Sequence, residues 1–264
     1  CAALVSIASD VKAGESGQSV NFSAGKATDE WLRTYDITPG GRLDIINVNG
    51  RIDASPSSGP KVEVRAIREA RAGSEDASRE LLRKTEMHEE VAADRVLIEV
   101  SKDDGRGRGF RRPQLTVKYE VRIPAGLNIV LKTQNGEVKL ENIQGVRIEA
   151  SSTNGGITVR VFCGGVESST VNGGIQMDLE AVTGDTRMVT VNGGVMLSVA
   201  PGVNADLEAT VVNGGVSVQD GLSLSGDERS RQRVTGRIGS GGPRLVVQST
   251  KGGVRVGPRG APGS

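Results

Sequence analysis

Between residues 127 and 256 apolar and polar positions alternate in short runs, and the runs recur. After each Asn-Gly or Lys-Gly step, alternate positions are apolar: Val138 and Leu140, Ile157 and Val159, Ile175, Met177 and Leu179, Val195, Leu197 and Val199, Val216 and Val218, Val254 and Val256. Their neighbours, among them Lys139, Thr158, Gln176, Asp178 and Ser217, are mostly polar. Strict alternation sends successive side chains to opposite faces, so each run predicts a half-buried β-strand. The Asn residues at the turns stand at 135, 154, 172, 192 and 213, spaced by 19, 18, 20 and 21 residues, and Lys251 holds the equivalent place after another 38, two periods of 19. A degenerate copy, Val234 to Ile238, falls inside that gap, and midway turn signals stand at Gln144-Gly145, Gly164-Gly165, Thr183-Gly184 and Pro201-Gly202. A period of two inside a period of about 19 predicts an all-β, parallel β-solenoid or β-helix-like fold, with about six coils over 127–256. The competing reading is a β-sandwich in which NGG marks ordinary hairpins.

Stacking parallel coils brings equivalent residues to about 4.8 Å from one another. Asn135, Asn154, Asn172, Asn192 and Asn213 are therefore expected to form a structural ladder of side-chain amides. Each Asn is expected in a left-handed turn, with positive φ supplied by the glycines that follow.

The rest of the chain is less regular. Residues 1–30 read as an N-terminal anchor and a flexible tether, because 14–30 are small and polar with no apolar period. Residues 31–126 form a β-rich part: two alternating runs around Pro39-Gly40-Gly41, then Val62, Val64 and Ala66 on one face. Ser74 as N-cap, Glu75 and Asp76 in a first turn and Arg83 and Lys84 in a last turn predict a short helix over 74–85, with Ala77 and Leu81 as its apolar stripe. The runs RVLIEV and QLTVKYEVRIP around the polar DDGRGRGFRRP predict a hairpin over 96–123. Residues 257–264 read as a disordered tail.

The succession ITPGGRLDIINVNGRI, a charged helix, LTVKYEVRIPAGLNIVLKTQNGEVKLENIQG and serial NGG coils, over roughly residues 35 to 256, resembles the DUF4097 family of bacterial adhesin-type proteins, also described as toastrack-like domains. The resemblance implies a right-handed solenoid exposed in the cell envelope, near membrane-stress machinery, with no catalytic residues to carry over.

Composition agrees with many short strands: 37 glycines and 2% aromatics leave Val, Ile, Leu and Ala to fill the core. A net charge of +1 makes no demand for nucleic acid, and none is expected as a partner. Two cysteines, Cys1 and Cys163, are too few for a disulfide scaffold or a zinc cluster, and Cys163 reads as a free thiol. An N-terminal Cys followed by AAL is expected to be the lipidation site of a bacterial lipoprotein, anchoring the chain to the envelope membrane and facing periplasm or exterior. The alternatives are an arbitrary start, or the tail of a signal peptide cut near Val11-Lys12-Ala13, which would make the protein secreted. No run of about 20 apolar residues predicts a spanning helix.

No cofactor or metal is expected. His88 is the sole histidine, and an HExxH zinc motif would need a second where Ala92 stands. Asp178, Glu180 and Asp185 are the carboxylates to weigh for glycoside chemistry, with solvated strand positions as their ordinary role. The loop residues Arg106, Arg108, Arg111 and Arg112 are a candidate anion-binding site, set against a solvated hairpin tip. The expected function is a non-enzymatic envelope module that binds or scaffolds an envelope protein or glycan. A polysaccharide-active β-helix enzyme and a self-assembling structural solenoid are the alternatives.

Overall fold

The computed structural model describes residues 25–100 and 113–259, the side chains of 161–163 aside. The first part contains β1 (Lys26–Tyr35), β2 (Arg42–Asn49), β3 (Ile52–Pro56), β4 (Val62–Arg71), α1 (Glu75–Lys84), β5 (Met87–Val91), β6 (Arg95–Val100) and β7 (Gln114–Ile123). The central coils are β8 (Asn128–Asn135), β9 (Val138–Ile143), β10 (Arg147–Asn154), β11 (Ile157–Cys163), β12 (Gly165–Asn172), β13 (Ile175–Val182), β14 (Thr186–Asn192) and β15 (Val195–Val199). The last part is β16 (Ala205–Asn213), β17 (Val216–Val218), β18 (Leu224–Arg229), β19 (Arg233–Ile238), β20 (Arg244–Lys251) and β21 (Val254–Pro258). They form two facing sheets, a first of order β1-β4-β7-β3-β9-β11-β13-β15-β21-β17 and a second of order β18-β19-β16-β20-β14-β12-β10-β8-β2-β6-β5.

Each coil contributes one strand to each sheet, and alternation turns one side chain in two inward. The resulting core is aliphatic and continuous: Leu43, Ile45, Leu131, Leu140, Ile148, Val159, Met177, Leu197, Val247 and Val256 are all at most 1% exposed. Val216 and Val218 are only half-buried, because β17 is the last strand of its sheet and has no coil beyond it. Two tyrosines depart from the aliphatic rule: Tyr35, whose hydroxyl donates to Glu89 at 2.5 Å, and Tyr119. The second stands without such a bond: its ring is fully buried, its hydroxyl has no hydrogen-bond partner, and burial pushes its pKa up.

The corner between the sheets explains the recurring residues. Asn135 Nδ2 donates to Asn49 Oδ1 at 2.8 Å, Asn154 to Asn135 at 2.8 Å, Asn172 to Asn154 at 2.8 Å and Asn192 to Asn172 at 2.9 Å. Two residues earlier, a buried hydroxyl turns inward and donates to a glycine carbonyl of the preceding coil: Thr133 to Gly50, Ser152 to Gly136, Thr170 to Gly155, Thr190 to Gly173 and, in the last stretch, Ser249 to Gly193. The glycine after each Asn is required by space. A Cβ on Gly173 would lie 2.1 Å from the Gly155 carbonyl oxygen, and one on Gly193 would lie 2.0 Å from that of Gly173. Neither glycine has positive φ, and among the described residues Asn142 is the one non-glycine that does. The expected left-handed Asn is thus corrected, and positive φ is found at the corner glycines Gly50, Gly214 and Gly252 but not at Gly136, Gly155, Gly173 or Gly193, where the glycine is there so that neighbouring backbones can touch.

Removing Asn172 takes away one bond on each side of it, so Asn172→Ala is expected to cost about 1 to 2 kcal/mol. Asn213 occupies the same corner, but its neighbour in register is Lys251 and its side chain has no hydrogen bond among the described residues. Asn213→Ala should therefore cost less than about 0.5 kcal/mol. Urea unfolding midpoints of the two variants check this difference.

Several boundaries differ from the expected ones. The solenoid does not begin at 127: β2 and β3 already make a coil, with Asn49 opposite Asn135, so 31–126 and 127–256 share the same two sheets. β1 starts at Lys26, inside the expected tether, because Ala27 is fully buried and Asp29 and Glu30 are tied to Arg68 and Arg65 of β4. The expected hairpin over 96–123 does not form. β6 lies in the second sheet against β2 and β5, whereas β7 lies in the first against β4 and β3. Both strands have one apolar face, and placing them in opposite sheets turns both faces to the shared core.

The helix runs from Glu75 to Lys84, with Ser74 Oγ accepting from the Ala77 N–H as expected of the N-cap. Its buried positions are Ser78 and Leu82 rather than Ala77, and Leu82 packs with Ala27 and Ala70. VTGRI is not a coil: β19 runs antiparallel to β16 and to β18. β21 reaches Pro258 and the Arg259 N–H donates to the Val199 carbonyl at 2.8 Å, so the expected tail is shorter than 257–264. Among the described residues no helix is long and apolar enough to cross a membrane. Cys1, most of the tether and the arginine loop Arg106, Arg108, Arg111 and Arg112 lie outside the described residues.

Candidate binding surface

The outward faces of the strands carry the polar half of the alternation. On the first sheet, the register sets Thr158 beside Gln176, Gln176 beside Met196 and Met196 beside Arg255. The carboxylates of that face are already engaged. Asp178 is 8% exposed and accepts from Arg160 Nε at 2.9 Å, and Glu180 accepts from Arg259. Asp178 is thus covered rather than solvated, because Arg160 of the neighbouring coil lies in register beside it. Asp185 stands apart, in the turn that leads to β14, where its Oδ1 accepts the Arg244 backbone N–H at 2.9 Å. The structure therefore brings Asp178 and Glu180 onto one strand and leaves Asp185 elsewhere. His88 is exposed on β5, 3.4 Å from Glu90. Among the described residues no group of three or more His, Cys, Asp or Glu side chains is placed to hold a metal.

The second sheet offers a different surface. A trough of about 670 Å³ runs across β10, β12, β14, β20 and β16, within the range of ordinary ligand sites. Gly165 lines it and leaves a gap in the row of side chains beside Arg147, its neighbour in register, where a Cβ would lie 2.9 Å from the Asp185 carbonyl oxygen. Arg147, Arg187 and Arg244 stand around this gap with Glu167, Glu208, Asp185 and Gln248. Arg147 donates to Glu167 at 3.2 Å, and Glu208 is shared between Arg233 at 3.2 Å and Arg244 at 3.9 Å. Arg187 is the exception. Among the described residues its partner is the Gln248 side-chain oxygen, at 2.6 Å, and no carboxylate. A guanidinium has five N–H donors, so Arg187 keeps most of its donor capacity for a ligand.

Apolar surface borders the trough. Val146 lines it and is 54% exposed, and Val171 and Val191 are exposed on the strands of Glu167 and Arg187, four residues further along, toward the ladder. Donors, acceptors and aliphatic C–H surface therefore share one face. Single-sequence reasoning missed this constellation. Its members come from five strands spread over residues 146 to 248, and the one local signal was a Gly-Gly at 164–165 that reads as a turn.

No curated protein matches the chain. Among solved structures it is similar to a "putative cell adhesion protein" from Clostridium sporogenes, at 10% identity over 88% of this chain and 100% of that one, with a TM-score of 0.50. A "putative adhesin" from Bacteroides fragilis is 10% identical over 87% of this chain and 97% of that one, TM-score 0.30. A "putative lipid binding protein" from Parabacteroides distasonis has the same identity and coverage, TM-score 0.31. The first likeness shows the fold. The family model described as Toastrack DUF4097 matches residues 83–257, about two thirds of the 264 residues and the span that holds most of the coils and every strand of the trough. The chain belongs to the DUF4097 toastrack family.

Proposed function

We propose that this chain is a non-enzymatic binding module of the bacterial cell envelope, and that the outer face of its second sheet holds a surface glycan. The observation that carries the reading is the trough around Gly165, where the underused donors of Arg187 face the carboxylates of Glu167 and Glu208. Sugar hydroxyls donate and accept at once, so a ligand rich in them uses both kinds of group, while Val146 meets its C–H faces. With no aromatic platform in the trough, each contact is weak. Firm adhesion then requires many copies on one surface, where avidity multiplies modest affinities. A carboxylate-catalysed cleavage is less well supported, because Asp178 and Glu180 are each held by a guanidinium. The name of the Clostridium sporogenes relative agrees with an adhesive role.

The test is binding of the purified chain to an array of bacterial and host surface oligosaccharides. Arg187→Ala is expected to weaken the oligosaccharides that bind by about tenfold, the worth of one hydrogen bond to a charged group. Met196→Ala, on the other sheet, should leave them unchanged. Binding that ignores Arg187→Ala removes this surface from the proposal, and release of new reducing ends from a bound polysaccharide would establish the enzyme instead.

A further inference from the structure

The coils do not stack in the order of the chain. β20 lies between β14 and β16, and β21 lies between β15 and β17, although β16 and β17 come earlier in sequence. From β15 the polypeptide skips a place one strand wide in both sheets, builds β16 to β19 beyond it, and returns to fill the gap with residues 244–258. That final coil is paired on both flanks. Gly193 donates to the Lys251 carbonyl at 2.8 Å and Val195 to Gly253 at 2.9 Å on one side, and Gly252 donates to Asn213 at 3.1 Å and Val254 to Gly215 at 3.0 Å on the other. Its side chains Leu245, Val247, Val254 and Val256 are each 0% exposed and supply one whole layer of the core.

The connection into this coil is a short glycine-rich hinge. Residues 239–243, Gly-Ser-Gly-Gly-Pro, carry the chain from β19 on one side of β16 to β20 on the other. Gly239 has φ 60° and Gly241 has φ 79°, values that L side chains rarely adopt, and the bend is held by Ser240, whose N–H and hydroxyl both donate to Asn204 Oδ1. Stretched out, five residues reach about 17 Å, more than the two strand spacings of about 9.6 Å that the hinge has to cross. An opened hinge therefore carries the coil clear of its own slot.

We infer that residues 244–258 form an exchangeable coil, and that the slot between β14–β15 and β16–β17 accepts the same segment from a second copy of this chain to give a reciprocally swapped dimer. The slot cannot tell the two apart, because donor and acceptor edges, apolar layer and register are identical whichever copy supplies them. What favours the chain's own coil is the effective concentration set by the hinge, on the order of 1 mM for a short linker. The inference does not rest on the glycan reading, but the exchanged coil supplies Arg244, Val246 and Gln248 of the trough, so in the dimer each of the two troughs is built from both copies.

Two full-length single variants, Val189→Cys and Gln248→Cys, test the exchange. These positions are paired in register across β14 and β20 and both are half-buried. They meet between unlike chains only in a swapped dimer. The two proteins are mixed, unfolded in denaturant and refolded together at about 1 µM and at about 1 mM, far below the linker's effective concentration and level with it. The expected result is monomer without cross-link at the low concentration. At the high one a dimer should form that survives dilution and yields a disulfide-linked peptide pair spanning residues 189 and 248. A chain that is monomeric at both concentrations, or a dimer that lacks this peptide pair and dissociates on dilution, overturns the inference. Carrying Gly239→Val and Gly241→Val on both chains should lower the concentration at which dimer appears by tenfold or more. If those chains fold and remain monomeric the hinge argument fails, and if they do not fold the unaltered hinge still decides.

Discussion

Gly173→Ala is expected to lower the stability of the folded chain by about 3 kcal/mol, a large effect for a single methyl group. The added Cβ would sit 2.1 Å from the Gly155 carbonyl oxygen and 2.5 Å from its carbon, and neither atom belongs to a side chain that can swing away. Relief requires two coils to move apart, which stretches the Thr170 and Asn172 bonds to the preceding coil as well. The informative comparison is the second glycine of another corner. A Cβ on Gly156 would meet nothing closer than the Gly174 oxygen at 3.5 Å, an ordinary contact. Gly156→Ala is therefore expected to stay within about 0.5 kcal/mol of the parent. Chemical denaturation of both variants separates the two roles. A large loss from Gly156→Ala with little from Gly173→Ala would contradict the account of the corner as a site of backbone contact.

The second large effect is expected at Leu197. It is 1% exposed and fills a layer with Met177 and Val256 of the flanking coils, its partners in register. Leu197→Asp removes that packing and puts a carboxylate where nothing can pair with it, for a loss of about 5 kcal/mol or more. Met196, the adjacent residue, points outward and is 43% exposed. Met196→Asp should shift the unfolding midpoint by less than about 1 kcal/mol. Because each coil is stable only against its neighbours, the Leu197→Asp chain should lose hydrogen-exchange protection in β13 and β21 together with β15. Equal damage from the two substitutions would mean that the inward phase of β15 has been misassigned.

These effects tie the architecture to its use. A corner made of touching backbones, stacked amides and buried hydroxyls tolerates almost no variation, which is why it recurs so closely. The outward positions are released from that constraint and can carry whatever a surface requires. The trough around Gly165 is an instance: Arg147, Glu167, Arg187 and Gln248 occupy outward positions of strands whose inward positions are Ile148, Val166, Met188 and Val247.

The local pattern by itself determined the strand type, the inward phase of the central coils and the glycine-rich corner, because period-two alternation and tight turns act over a few residues. Val138 and Leu140, Ile175 and Met177, Val195 and Leu197 are buried in the phase their neighbours dictate. It could equally have exposed the hydroxyl ladder, since Thr or Ser stands two places before Asn in most copies, but a Thr in a strand has an ordinary explanation and gives no warning. The order of the coils was decided only in three dimensions. Asn49 joins the ladder across 86 residues of chain, and Lys251 enters it between Asn192 and Asn213. Spacing along the chain marks Lys251 as a corner residue but gives neither its place between Asn192 and Asn213 nor the part of Asn49, because a parallel strand can be supplied from any distance once its edges and its apolar layer match. The trough was hidden for the same reason: its charged groups come from five strands and converge through register alone, so no window of sequence contains the site.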